Sequence, residues 1–129
     1  MIDKAAGPGS RSNADAAHAR SVGLDVADVA ATLQGTFGQA LLGVILGKDV
    51  RTVARWANAT VRPPHASENL LRDTFQVFEL LISVDSPEVA RAWFMGMNPQ
   101  LEDASPAEAL SEGRSKEVMA AARAYISAR

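Results

Sequence analysis

Gln39-Ala40-Leu41-Leu42-Gly43-Val44-Ile45-Leu46-Gly47-Lys48-Asp49-Val50-Arg51-Thr52-Val53-Ala54-Arg55-Trp56 governs how the rest of the chain is read. Gly47 suits the left-handed conformation that ends a helix, because it has no Cβ to clash there. Asp49 stands where a side-chain oxygen can cap a new helix beginning at Val50. The stretch predicts two short helices, Phe37 to Leu46 and Val50 to Asn58, joined by a tight turn. Gly43 supplies a small residue where they cross. Val53 and Trp56, three apart, face inward, and the outward side carries Val50, Arg51, Ala54 and Arg55.

That arrangement is a helix-turn-helix. Arginines near the start of its second helix can reach guanine edges or phosphates in the major groove. Arg62, on the following loop, is placed for a phosphate contact. Lys48 falls just after the turn glycine, where its stem can lie on apolar surface and its ammonium stay in water. The candidate DNA-binding residues are therefore Lys48, Val50, Arg51, Arg55 and Arg62. A helical hairpin in a domain that never touches nucleic acid would show the same spacing, and Trp56 is core under either reading.

Outward from this unit the pattern stays helical. Leu24, Val26, Val29 and Leu33 mark an earlier helix ending near Gly35. After the break at Arg62-Pro63-Pro64, residues 66–84 carry a wide apolar stripe through Leu70, Leu71, Phe75, Val77, Phe78, Leu81 and Ile82, the longest helix. Asp85-Ser86-Pro87-Glu88 is a start signal: a capping side chain, proline in the first turn, then an acid near the positive end of the helix dipole. Ser105-Pro106-Ala107-Glu108 fits a capping box opening a short helix, stopped by Gly113. A last helix runs from Lys116 to Ser127. No stretch alternates like a strand, so the expected fold class is all-α. The expected divisions are a mobile tail (1–21), a helix-turn-helix region (22–64), a long connecting helix (65–84) and a C-terminal domain (85–129).

Composition limits the chemistry. The 129 residues contain no cysteine, which excludes a disulfide scaffold, an iron–sulfur cluster and any cysteine-bearing zinc site. His18 and His65 are the only histidines, too few for a metal site without several carboxylates. Residues 1–65 hold seven basic and five acidic side chains and residues 66–129 hold six and ten, so the halves suit different partners. The longest uncharged window, Val29 to Gly47, contains four glycines and reads as core rather than membrane span. No targeting segment is evident, and the expected compartment is the cytoplasm. No catalytic set, metal site or cofactor is expected: Ser67 and Asp73 lie near His65 only in sequence, and Gly7-Pro8-Gly9-Ser10 follows no strand.

Leu46-Gly47-Lys48-Asp49-Val50-Arg51-Thr52-Val53-Ala54-Arg55-Trp56 resembles the helix-turn-helix of Xre-like antitoxins. Trp93 to Ile126, with Asn98-Pro99-Gln100-Leu101, Ser105-Pro106, Ala109-Leu110, Glu112-Gly113 and Val118, resembles the toxin-binding domain of Xre/MbcA/ParS-type antitoxins. The resemblance spans residues 25–127. It implies a type II antitoxin that blocks the cleft of a RES-domain, NAD-consuming toxin and also represses its own operon, as a homo-oligomer or a toxin–antitoxin hetero-oligomer, with no membrane partner. On it, Phe94, Met97, Asn98, Glu102, Asp103, Arg114, Arg123 and Arg129 are the candidate toxin-binding residues. Trp93, Leu101, Leu110 and Val118 read as core, Asn98 as fixing a turn, and the family often has glycine near Glu102-Asp103. The alternative is a stand-alone helix-turn-helix regulator with a helical dimerisation domain.

Overall fold

Each helix of the protein starts and stops where a local signal permits, and the computed structural model describes residues 14–17 and 24–129. Helix α1 (Val26–Phe37) opens at Asp25, whose carboxylate accepts the Ala27 amide at 3.1 Å. It buries Val26, Val29, Ala30, Leu33 and Phe37, the spacing of one face. It runs past Gly35, the expected end, because Phe37 is drawn into the core and Gly38, at φ 84°, makes the turn instead. Helices α2 (Gln39–Leu46) and α3 (Val50–Ala57) follow. The Pro63-Pro64 pair then separates α3 from α4 (His65–Ile82), 18 residues long.

Ser86 caps α5 (Pro87–Met95) through its hydroxyl, which accepts the Val89 amide at 3.2 Å. A 3-10 turn (Pro99–Leu101) leads to α6 (Pro106–Ser111). Its capping box is complete, with the Ser105 hydroxyl accepting the Glu108 amide and the Glu108 carboxylate accepting the Ser105 amide, each at 3.0 Å. Gly113 at φ 82° turns the chain into α7 (Ser115–Ser127). Among the described residues there is no strand, so the class is all-α.

Phe37 is the hub. Its ring meets Phe78 edge-on at 5.6 Å and Phe94 at 4.7 Å, which ties α1, α4 and α5 together. Arg91 Nε donates to the Phe37 carbonyl at 3.1 Å and so satisfies one of the orphan acceptors at the end of α1. Further out, α1 packs on α3 and α4, α2 on α6, and α4 on α7. The buried side chains form one continuous cluster. Segments 22–64 and 85–129 therefore share a core, and the junctions at 64/65 and 84/85 are turns of the chain rather than gaps in packing.

Of the expected mobile tail, residues 14–17 form a helical turn with Ala14 and Ala17 buried in the common cluster. Small side chains pack there without the bulk that the sequence pattern searches for. The remainder of residues 1–21, with His18 and the Gly7–Ser10 stretch, lies outside the described residues. Val29 to Gly47 is divided between α1 and α2 at Gly38, and among the described residues no helix is long and apolar enough to cross a membrane.

Candidate functional site

The turn between α2 and α3 is built by backbone hydrogen bonds. Gly47, at φ 64° and ψ 34°, is left-handed; its amide donates to the Val44 carbonyl at 3.3 Å, and the Lys48 amide donates to the Gly43 carbonyl at 3.1 Å. Those two bonds form a Schellman motif, which satisfies the last carbonyls of α2. A Cβ placed on Gly43 would stand 2.8 Å from the Lys48 carbonyl oxygen. Gly43 is small because the turn folds back over it, rather than because a partner helix crosses there.

Asp49 restarts the helix by accepting the Thr52 amide at 2.9 Å. Hydrogen bonding to Thr52, from side chain and backbone, holds the Asp49 carboxyl below the ordinary carboxylate range, with a smaller pull from the Arg51 and Arg55 charges. Val53 is fully buried and Trp56 is buried to 3% exposure, as their spacing requires. With those two facing the core, Val50, Arg51 and Arg55 face solvent. Lys48 is also exposed, as is its Asp49 neighbour, so the ammonium is not folded back into the core. None of Lys48, Arg51 and Arg55 is held in a hydrogen bond or ion pair among the described residues. Four of the five candidate DNA-binding residues thus lie together on one exposed surface at the start of α3.

The fifth is differently placed. Arg62 Nη2 lies 2.9 Å from Glu68 Oε1 on the first turn of α4, and Glu68 Oε2 also accepts from Arg72 at 3.0 Å. Arg72 in turn donates to the Leu24 carbonyl at 2.7 Å. Arg62 is therefore part of a clasp joining the α3–α4 loop to the start of α1, and a free phosphate would compete with Glu68 for it. The four-residue spacing of Glu68 and Arg72 is visible in the sequence; the Arg62 partnership is not.

The C-terminal candidates separate into three groups. Phe94 is completely buried against Phe37, so as placed it cannot touch a partner. The three apolar residues clustered near the end of α5 diverge because only Phe94 falls on the inner face, while Met95 and Met97 are 52% and 80% exposed. A second group is committed internally. Asn98 closes the 98–104 loop: its side chain accepts the Gln100 amide at 2.9 Å, its amide donates to Ala104, and its carbonyl accepts from Leu101 and Asp103. Arg114 is held by Glu117 at 2.7 Å, with Glu102 and Glu112 farther off; the Glu117 hydrogen bond raises its pKa above the ordinary arginine value. Arg129 bonds Asp85 at 2.5 Å and Tyr125 at 3.0 Å, and Tyr125 donates to the same Asp85 oxygen at 2.7 Å. This cluster fastens the end of α7 to the α4–α5 loop, and the Asp85 hydrogen bond raises the Tyr125 pKa.

The third group remains available. Glu102 and Asp103 are exposed and occupy left-handed conformations at φ 58° and 68°, where a residue with a Cβ is strained. Leu101, fully buried, anchors the turn that carries them. Arg123 is exposed on α7 and lines a groove of about 480 Å³ against α4, with Asp73 and Lys116 on its walls. Leu110 and Val118 are fully buried, as expected of core; Trp93 is half-buried and stacks between Phe94 and Tyr125. Among the described residues no three His, Asp or Glu side chains are grouped so as to hold a metal ion.

Comparison of the chain with protein-family models, with curated proteins and with solved structures finds no match.

Proposed function

We propose that the chain is a DNA-binding antitoxin of a type II toxin–antitoxin system, acting by occlusion rather than catalysis. One observation supports the DNA half above all: a Schellman turn and an Asp cap start α3 so that Lys48, Val50, Arg51 and Arg55 stand on one exposed surface, with the three cations unpaired. Cations in that position neutralise phosphates and reach guanine edges. The toxin half is supported by the resemblance of residues 93–126 to the family's binding domain and by exposed Met95 and Met97 on the same surface stretch as Glu102 and Asp103. An apolar anchor beside carboxylates is a fitting surface for a partner enzyme's cleft, here that of a RES-domain toxin. Blocking a cleft needs only steric occupation, so no titrating residue takes part.

The second reading, a stand-alone regulator, is favoured by the burial of Phe94 and by the internal pairing of Arg114 and Arg129, which narrow the surface left for a toxin. Co-expression with the product of the adjacent gene separates the two. A stable complex that protects cells from that product supports the antitoxin. A DNA-bound protein that forms no such complex supports the regulator. A gel-shift titration against salt tests the DNA half. A dimer neutralising about six to eight phosphates gives a log–log slope of about −5 to −7, and no shift of any duplex at low salt refutes it.

A further inference from the structure

We infer that α3 reads a thymine lying beside a guanine, the thymine through the apolar edge formed by Val50 and Ala54 and the guanine through Arg51. The inference rests on the DNA-binding reading above and adds its base preference. Val50 and Ala54 are one turn apart and lie on one side of the helix; Arg51 and Arg55, also one turn apart, lie alongside. Val50 is 47% exposed and contributes nothing to the core, which α3 reaches through Val53 and Trp56. A surface that only neutralised phosphates would need cations alone. An exposed valine at the first position of the helix, beside two unpaired guanidinium groups, is instead suited to base edges. In the major groove only thymine offers a methyl group, and guanine offers the paired O6 and N7 acceptors that a guanidinium engages with two hydrogen bonds.

The alternative polar contact is removed by the structure. Asn58 follows at the end of α3, but its Oδ1 already accepts the Thr60 amide at 3.0 Å and the Thr60 hydroxyl. It is not free to make the two-bond contact with adenine that an asparagine otherwise makes. Eight residues at about 1.5 Å each give a helix about 12 Å long, so its opening turn covers one or two base pairs. Val50 and Arg51, adjacent at that opening, therefore address neighbouring bases.

The test uses the full chain and a random-sequence duplex library. Sequences enriched on the wild-type protein are expected to share a guanine next to a thymine. Replacing that thymine by deoxyuridine removes one methyl group and is expected to weaken binding about fourfold per site. Val50→Ala protein, whose change lies on the surface, is expected to bind the thymine and deoxyuridine duplexes alike. Enriched sequences without the thymine, or a wild-type protein indifferent to deoxyuridine, overturn the inference while leaving DNA binding intact. Binding of all duplexes without enrichment overturns it equally. Failure to bind any duplex refutes the DNA reading itself.

Discussion

Gly43→Ala is a small change with a definable cost. The added Cβ would sit 2.8 Å from the Lys48 carbonyl oxygen, a backbone atom that no rotamer change can move aside. Ordinary contact requires a displacement of about 0.6 Å, typical of overpacking that costs about 1–3 kcal/mol. The displaced turn also strains the Lys48-to-Gly43 hydrogen bond, now 3.1 Å. Against this, alanine favours a helix over glycine by about 0.5–1 kcal/mol. The net expectation is a destabilisation of roughly 0.5–2 kcal/mol, a fall in Tm of roughly 2–8 °C for a chain of this size. Gly35→Ala is the matched control. Gly35 is exposed and helical, and nothing lies within 4 Å of its notional Cβ. There only the propensity gain operates, and Tm should rise by roughly 2–4 °C. Thermal melts of the two variants read opposite signs from the same chemical change. Because the turn also aims α3, Gly43→Ala should weaken DNA binding whereas Gly35→Ala should not. If both variants gain stability equally, the close approach over Gly43 is wrong.

Arg51→Ala with Arg55→Ala should lower the salt slope of DNA binding by about two and leave Tm unchanged, while Arg62→Ala should weaken binding far less, because Glu68 already holds that guanidinium; an Arg62→Ala loss as large as that of Arg51→Ala would refute the clasp. Met97→Asp should abolish the complex with the adjacent gene's product without changing the melt, since Met97 is 80% exposed, whereas Phe94→Ala should cost about 3–5 kcal/mol of stability; a complex that survives Met97→Asp places the toxin surface elsewhere. Thr74→Val should stabilise the fold by about 1–2 kcal/mol, because the Thr74 hydroxyl is buried and has no hydrogen-bond partner among the described residues; a lower Tm would mean that the hydroxyl is satisfied after all. Asp49, Glu108 and Glu117 are each held below the ordinary carboxylate range by hydrogen bonds. In acid the unfolded chain takes up these protons first, so their stabilisation is present at neutral pH and is lost as pH falls below about 4; a melt at pH 3 as high as at pH 7 would contradict this.

Most of the fold was legible before any coordinate. Capping residues, prolines and glycines are local devices, and each acts on the backbone within a few positions of itself. Asp25, Asp49, Ser86 and Ser105 all accept the amide that their position predicts, and Gly47 and Gly113 both adopt positive φ. Apolar spacing likewise separated Val53 and Trp56 from Arg51 and Arg55, because a helix wheel needs only the local period. The surface at the start of α3 was therefore readable in outline from eighteen consecutive residues.

What the chain's letters left undetermined depends on residues distant in sequence. Nothing local marks Phe94, rather than Met95 or Met97, as the one that meets Phe37 across 57 positions. Nor does anything local assign Arg62 to Glu68, Arg129 to Asp85, or Arg91 to the Phe37 carbonyl. A guanidinium on a long stem reaches whichever acceptor the packed helices bring near it, so its partner is a property of the assembled core. Turn and cap chemistry operates over a few bonds and survives in any context; the choice between a free cation and a paired one, or between a buried ring and an exposed one, is made only when the helices close on one another.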